Sequence, residues 1–349
     1  MIKKLIINNF KSIDRMELNC SSINIFIGTN SSGKSTVLQS LLLVLQNNAG
    51  FVGFNGNYLK LGEFDDVRCR GVKNTEDINI SIEDASKSIL SHDYIKTGDC
   101  IELKKNVNGY ILDDIFNSRK MVQYLSCQRI GPMSAYEKDM TINDEIGING
   151  EYAISYLNIH GNNRLEEKIC KDKSNQTLMG QVNWWLKRIT GTEIVTEDMV
   201  GTDYVKAAYN NGDIKNLRPN NVGAGISYLI SILIMCLASD KNAILVIENP
   251  EIHLHPAAQA KVCEFLYFIG YNGRQIFVES HSDHIFNGFR VGIAQNNMDN
   301  NLINISFMYL ENVFTRYIKV KIGKYGRVEN QRKDLFDQFD IDMRKMIGV

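Results

Sequence analysis

Between Gly28 and Thr36 the chain reads G-T-N-S-S-G-K-S-T. Gly28, Gly33, Lys34 and Ser35 have the spacing G-x-x-x-x-G-K-[ST], and Thr36 follows directly. That spacing suits phosphate. The glycines let the backbone curl so that successive N–H groups of Asn30, Ser31, Ser32 and their neighbours turn toward phosphate oxygens. The start of the next helix adds a favourable field for negative charge. Lys34 can reach the β- and γ-phosphates, and the Ser35 hydroxyl can ligate Mg²⁺. The plain alternative is a Gly/Ser-rich turn that binds nothing. It is disfavoured because strand (INIFIG), loop and apolar helix (VLQSLLLVL) occur in the order the chemistry needs.

Hydrolysis of a phosphate bond also needs a carboxylate on the metal side and a group that orients water. An apolar strand over 243–248 delivers Glu248 at its carboxyl end, with Asn249 and Glu251 just beyond. Four of the six histidines fall in two short loops, His253 and His255, then His281 and His284. Zinc is disfavoured, since H-x-H and H-x-x-H come without cysteine pairs or an H-E-x-x-H helix. His281 follows a second apolar strand, 274–279, and suits donation to a γ-phosphate, with Asp283 to fix its tautomer or shape the loop. His284 reads as a structural residue at a helix start. N-V-G-A-G-I-S over 221–227 is a second Gly-rich turn at a helix start, hence a second anion-friendly position.

These residues need a scaffold. Strands are expected at 2–8, 15–19 and 23–27, then a helix over 34–45 that is apolar on most faces and so packs against a sheet. Weak alternation near 78–84 and 100–106 predicts short antiparallel strands. A helix is expected over 115–124, then an apolar strand running from Gln123 to a Gly-Pro turn. Helices follow at 152–157 and 177–190, with Trp184 and Trp185 in the core, then strands between 193 and 209 and a polar loop over 210–221. The last third alternates helix 226–238, strand 243–248, helix 257–269, strand 274–279 and helix 283–295. Strands at 304–310 and 315–323 and an amphipathic helix over 331–346 complete the chain. Such alternation predicts a mostly parallel sheet with helices on both faces, its ligands at the carboxyl ends of the strands.

Composition is ordinary for a globular protein. Lys and Arg total 39 against 40 Asp and Glu, a net charge of −1, so no bulk positive charge points to nucleic acid. The seven cysteines are scattered and odd in number, as expected for reduced thiols in the cytoplasm. The start, MIKKLIINNF, is not a signal peptide. The most membrane-like run, 226–238, is shorter than the ~20 residues a span requires, so no membrane role is expected of the chain itself. No heptad run, internal repeat or low-complexity tail appears.

Together, NNFKSID, GTNSSGKST, ILVIENPEIHLHP and VESHSDHI resemble the ABC class of ATPases. The branch is that of the RecF, SMC and OLD proteins, and the likeness is to its stand-alone bacterial AAA-type ATPases, whose tail DLFDQFD also resembles. The resemblance implies one ABC-type P-loop domain over 1–349. Its nucleotide-binding core would be 1–65 and 220–349, with antiparallel strands and a helical insertion over 66–219. It places Gly28, Asn30, Ser31, Ser32, Gly33, Lys34, Ser35 and Thr36 on ATP, Ser35 and Glu248 on Mg²⁺, and His281 in the switch position. Gln128 falls at the Q-loop. Gly223, Gly225 and Ser227 fall near the signature turn that faces a partner subunit, although L-S-G-G-Q is absent. His255 falls where the D-loop carries an Asp.

One departure matters. Where the family carries the acid that polarises water, this chain has Asn249. An amide positions water but is a poor base, so either Glu251 takes over or turnover is slow. The expected function is an ATPase subunit that forms a homodimer or higher homo-oligomer around ATP. It would regulate a separate effector, such as a nuclease or toxin, in bacterial antiphage defence. A DNA-repair or DNA-binding ATPase of the RecF/SMC type is the alternative, and a scaffold that holds ATP without turnover is the third reading. A GTPase is disfavoured by the lack of N-K-x-D, and a kinase by the lack of H-R-D and D-F-G.

Overall fold

The computed structural model describes residues 1–48, 53–72, 77–98, 100–109, 119–140, 145–332, 334–336 and 338–347. Along the chain come strands β1 (Ile2–Phe10), β2 (Ile13–Asn19) and β3 (Ile23–Gly28), then helices α1 (Lys34–Gln46) and α2 (Phe64–Val67). Strands β4 (Ile78–Asp84), β5 (Ile89–Thr97), β6 (Cys100–Asn108), β7 (Val122–Leu125) and β8 (Tyr136–Glu137) follow. Next are α3 (Ala153–His160), α4 (Leu178–Thr190), β9 (Thr192–Asp198), β10 (Tyr204–Asn211) and β11 (Ile214–Leu217). After them come α5 (Ala224–Ala238), β12 (Ile244–Glu248), α6 (Pro256–Tyr271), β13 (Gln275–Glu279) and α7 (Asp283–Ala294). The described elements end with β14 (Ile303–Glu311), β15 (Phe314–Lys319) and α8 (Gln338–Met346). The chain forms two compact units: Met1–Asp113 with Glu279–Val349, and Asp114–Val278.

In the first unit, β3 lies parallel to β14, and β14 pairs antiparallel with β15. Residues 23–27 of β3 are buried on both faces, which is why the run is apolar but for Asn24, whose amide bonds the backbone of Ser21. The sheet β2-β1-β4-β5-β6 of the same unit is antiparallel throughout. β1 alternates, burying Leu5 and Ile7 and leaving Lys3 exposed. Helix α1 is buried along nearly its whole length, with contacts to β3, β1 and β4. That explains why its apolar residues do not keep to one stripe.

In the second unit, β12 lies parallel to β7. Its five residues, Ile-Leu-Val-Ile-Glu, are all buried. Helix α5 buries every residue from Leu229 to Leu237. No described helix is long and apolar enough to cross a membrane. Helix α4 starts at Thr177, whose side chain accepts from the Gly180 N–H, and ends at Gly191 in the left-handed conformation. Its Trp185 packs edge-on against Phe265 of α6, with ring centroids 5.0 Å apart. Trp185 is fully core, whereas Trp184 is only half-buried.

Several expectations need correction. Helix 115–124 falls partly outside the described residues. Its described end is a single 3-10 turn, Arg119–Met121, leading into β7. The polar loop 210–221 holds a strand, β11, paired with β10 across a turn at Gly212. The strands expected between 193 and 209 are β9 and β10, which with β11 and β8 form a sheet of their own. The terminal helix begins at Gln338, well after 331.

Candidate functional site

The loop after β3 is built by backbone constraints. Gly28 has φ +144°, and a Cβ there would lie 2.1 Å from the Met308 carbonyl oxygen, so no other residue fits this register of β3 against β14. Ser31 is left-handed at φ 60°. Asn30 and Ser31 are exposed, while Ser32 is fully buried and its hydroxyl has no hydrogen-bond partner. Thr36 is buried on α1. The Lys34 ammonium donates to the carbonyls of Gly28 (3.0 Å) and Thr29 (2.7 Å), folded back over its own loop. Neutral carbonyls orient the ammonium without cancelling its charge.

The Ser35 hydroxyl donates to Glu279 Oε1 at 2.9 Å. Glu279 ends β13 and is 5 % exposed. Its second oxygen, Oε2, is buried and has no hydrogen-bond partner. His281 Nε2 lies 3.6 Å from Glu279 Oε1, and the imidazole is partly exposed. The carboxylate beside His281 is therefore Glu279. Asp283 instead sits 3.6 Å from His284 Nε2. Ser282 caps α7 by accepting from the N–H groups of His284 and Ile285. Glu279 escaped the sequence reading because its partner lies 244 positions away. The local signal was an acid closing an apolar strand, the same signal that singled out Glu248.

In the second unit Glu248 closes β12 at 7 % exposure. Tyr124 Oη donates to its Oε1 (3.1 Å) and the Cys127 N–H donates to its Oε2 (3.0 Å). Arg129 braces the same strand end. Its guanidinium donates to the carbonyls of Ser126 (2.9 Å), Glu248 (2.5 Å) and Asn249 (2.6 Å). Burial pulls its pKa down to about 10, opposed by Glu251 and other nearby acids, so it stays charged at neutral pH. Sequence reasoning passed over Arg129 in favour of Gln128, which is exposed on the same loop. Asn249 is left-handed at φ 44°, and its buried Oδ1 has no hydrogen-bond partner. Asn tolerates that backbone better than most residues do, which gives a structural reason for an amide here. Glu251 is half-buried two residues on.

The Gly-rich turn opens α5 from Gly223, which is exposed and caps the helix without a side chain. Gly225 is buried, and a Cβ on it would lie 2.4 Å from the His253 carbonyl oxygen. Ser227 is 3 % exposed, and its hydroxyl faces the buried phenols of Tyr136 and Tyr209. His253 is left-handed and packs against Tyr228, ring centroids 4.9 Å apart and planes tilted by 35°. His255 is exposed and caps α6, its Nδ1 accepting from the Ala257 N–H at 3.3 Å. Of the four residues expected to face a partner subunit, Gly223 and His255 are exposed. Gly225 and Ser227 are packed inside the unit.

The residues of the first unit fit a nucleoside triphosphate with Mg²⁺. They offer a charged lysine, a helix start free of acidic side chains, an unpartnered Ser32 hydroxyl and an unpartnered carboxylate oxygen beside Ser35. Among the described residues no group of three or more His, Cys, Asp and Glu side chains is arranged to hold a metal.

Solved structures share this fold. The Smc head bound to the C-terminal winged-helix domain of ScpA superposes with a TM-score of 0.61 at 14 % identity, covering 92 % of this chain and 98 % of that one. The SMC head domain from Thermotoga maritima gives 0.53 at 12 % identity, over 92 % and 99 %. The Smc head with an extended coiled coil bound to the C-terminal domain of ScpA, from Pyrococcus furiosus, gives 0.59 at 12 % identity, over 100 % and 99 %. No curated protein matches the chain. The family model described as AAA ATPase domain matches residues 1–178 and, overlapping them, 137–286. With that match running through the phosphate loop, the Glu248 strand and the His281 loop alike, the chain belongs to the AAA ATPase domain family.

Proposed function

We propose that this protein binds ATP with Mg²⁺ and hydrolyses it, and that it dimerises around the nucleotide to control a separate effector. The observation that carries the reading is Lys34, folded over the carbonyls of a loop whose helix start carries no side-chain cap and no acidic residue. In this reading Lys34 and the backbone of Asn30–Thr36 bind the phosphates, and Ser35 and Glu248 hold the metal. His281 donates to the terminal phosphate, and Asn249 with Glu251 orients water. Mg²⁺ would neutralise charge that develops on the phosphate oxygens. Gln128 takes the Q-loop part. Gly223 and His255, both exposed, are the residues of the Gly-rich turn and D-loop position best placed to meet a second subunit. Gly225 and Ser227 support that surface from within. Both compact units then serve one ABC-type ATPase.

The effector is assigned as a nuclease or toxin of a bacterial antiphage defence system, acting in the cytoplasm. Two of the similar SMC heads were solved with a domain of a separate protein, ScpA, which supports a partner on another chain. Size by light scattering on Glu248→Gln, with and without ATP·Mg²⁺, tests the dimer. A mass that stays constant rejects it.

Asn249 favours a second reading, in which ATP is held without turnover. Phosphate release separates the two. A wild-type rate above that of Lys34→Ala supports hydrolysis, and equal background rates support the scaffold.

A further inference from the structure

We infer that Glu279 is a ligand of the metal ion bound at Ser35, a role the motifs give to Glu248. This rests on the ATPase reading above and adds a residue to it. Three observations carry it. First, Ser35 Oγ and Glu279 Oε1 are 2.9 Å apart. Octahedral Mg²⁺ holds oxygens at roughly 2.0–2.1 Å, so two cis ligands stand about 2.9 Å apart. The pair already has the edge length of that octahedron. Second, Glu279 is 5 % exposed, and its Oε2 is buried without a hydrogen-bond partner. A carboxylate taken from water is costly unless a donor or a cation compensates it. Ser35 supplies one donor and the partly exposed His281 lies 3.6 Å away, which leaves most of the carboxylate's capacity uncommitted. Third, Mg²⁺ in nucleotide sites is held by one or two carboxylates together with phosphates, so one acid beside the loop hydroxyl is the expected protein share.

Without metal, the Ser35 hydroxyl keeps its proton and donates a hydrogen bond to Glu279. With a cation bound, the lone pairs of Ser35 Oγ and the Glu279 carboxylate would face it and the O–H would point away. One hydrogen bond is exchanged for two coordination contacts, with no proton transferred and neither residue changing its ionisation.

The test uses the full chain and Mn²⁺ as a spectroscopic substitute for Mg²⁺. Mn²⁺ is titrated by electron paramagnetic resonance in the presence of a non-hydrolysable ATP analogue. The affinity for the analogue is measured separately in EDTA. Glu279→Gln keeps shape and loses charge. Its Mn²⁺ affinity is expected to fall at least tenfold, with analogue affinity in EDTA unchanged or tighter. Glu279→Ala is read in the same way if the Gln variant does not fold. A Mn²⁺ titration that superposes on wild type overturns the inference. So does a parallel loss of Mn²⁺ and metal-free analogue binding, which would make Glu279 a prop for the loop. A wild-type chain that binds no analogue in either condition overturns the ATPase reading itself, and this inference with it.

Discussion

Two buried glutamates close two apolar strands, and their surroundings differ. Glu248, at the end of β12, has a donor on each oxygen, from Tyr124 and from the backbone of Cys127. Glu279, at the end of β13, has Ser35 on one oxygen and no hydrogen bond on the other. The first carboxylate is held in place, with its strand end braced by Arg129. The second is less constrained and lies against Ser35, the hydroxyl proposed to bind the metal. A motif marks the chain position of an acid. What the acid has left to give depends on partners from distant parts of the chain.

The largest effect expected is at the loop itself. Lys34→Ala removes the charge that the proposed phosphate site presupposes, and phosphate release should fall about 10²–10³-fold, in the range for loss of a preorganised electrostatic group. A steady-state phosphate assay decides it. A rate within twofold of wild type would remove the loop from the chemistry and leave the comparison of the two glutamates without a metal to hold.

Next is the brace in the second unit. Arg129 is 3 % exposed and satisfies three carbonyls. Arg129→Ala should cost about 3 kcal/mol in urea unfolding, from unpaired buried acceptors together with a cavity. Arg129→Lys keeps the charge but loses the planar fork, and should recover only part of that. Full recovery by lysine would mean that charge, and not geometry, fixes the end of β12.

Much of the fold was legible because its signals are local. The β3–loop–α1 sequence carries its own spacing, and β12 and β13 announce themselves as short apolar runs. What was missed has physical causes. β5 alternates as a half-buried strand should, but its inward residues are Leu90, His92 and Tyr94, so a histidine in the core hid the pattern. β11 is almost wholly exposed, and its four residues, Ile-Lys-Asn-Leu, are too few and too exposed to distinguish a paired edge from a loop. At the Gly-rich turn the sequence located a helix start, but helical phase turned Ser227 inward to Tyr136 and Tyr209. At the candidate metal site Ser35 was readable from spacing alone, whereas Glu279 depends on a tertiary contact.

His92 gives a second contrast between the units, in their response to acid. Both Arg129 and His92 are pushed toward the neutral form by burial. Arg129, at about 10, remains charged across the physiological range. His92 is fully buried in β5, with its pKa lowered from 6.5 to about 4, mainly by burial and secondarily by Lys105. The unfolded chain therefore takes up this proton near pH 6.5 and the folded chain only near 4. Its contribution is fully present above pH 6.5 and is lost as pH falls through that window. The loss is on the order of 3 kcal/mol by pH 4. Urea unfolding of wild type and His92→Gln across pH 4–7 measures the slope, which the variant should flatten. A wild-type slope that survives the substitution would assign the acid response to other groups.

The smallest effect bears most directly on turnover. Asn249 sits at φ 44°, at the position where the resemblance to ABC ATPases leads one to expect an acid. Glutamate tolerates left-handed backbone less well than asparagine, so Asn249→Glu should cost about 1 kcal/mol in stability. If the amide limits the rate, the same variant should release phosphate faster than wild type, through a base set beside the water. The two readouts move in opposite directions, which separates them from general damage. A variant that loses stability and gains no rate would mean that the missing base is not what limits hydrolysis. The backbone at 249 would then account for the amide by itself, and the carboxylate still uncommitted beside Ser35 would become the group to examine.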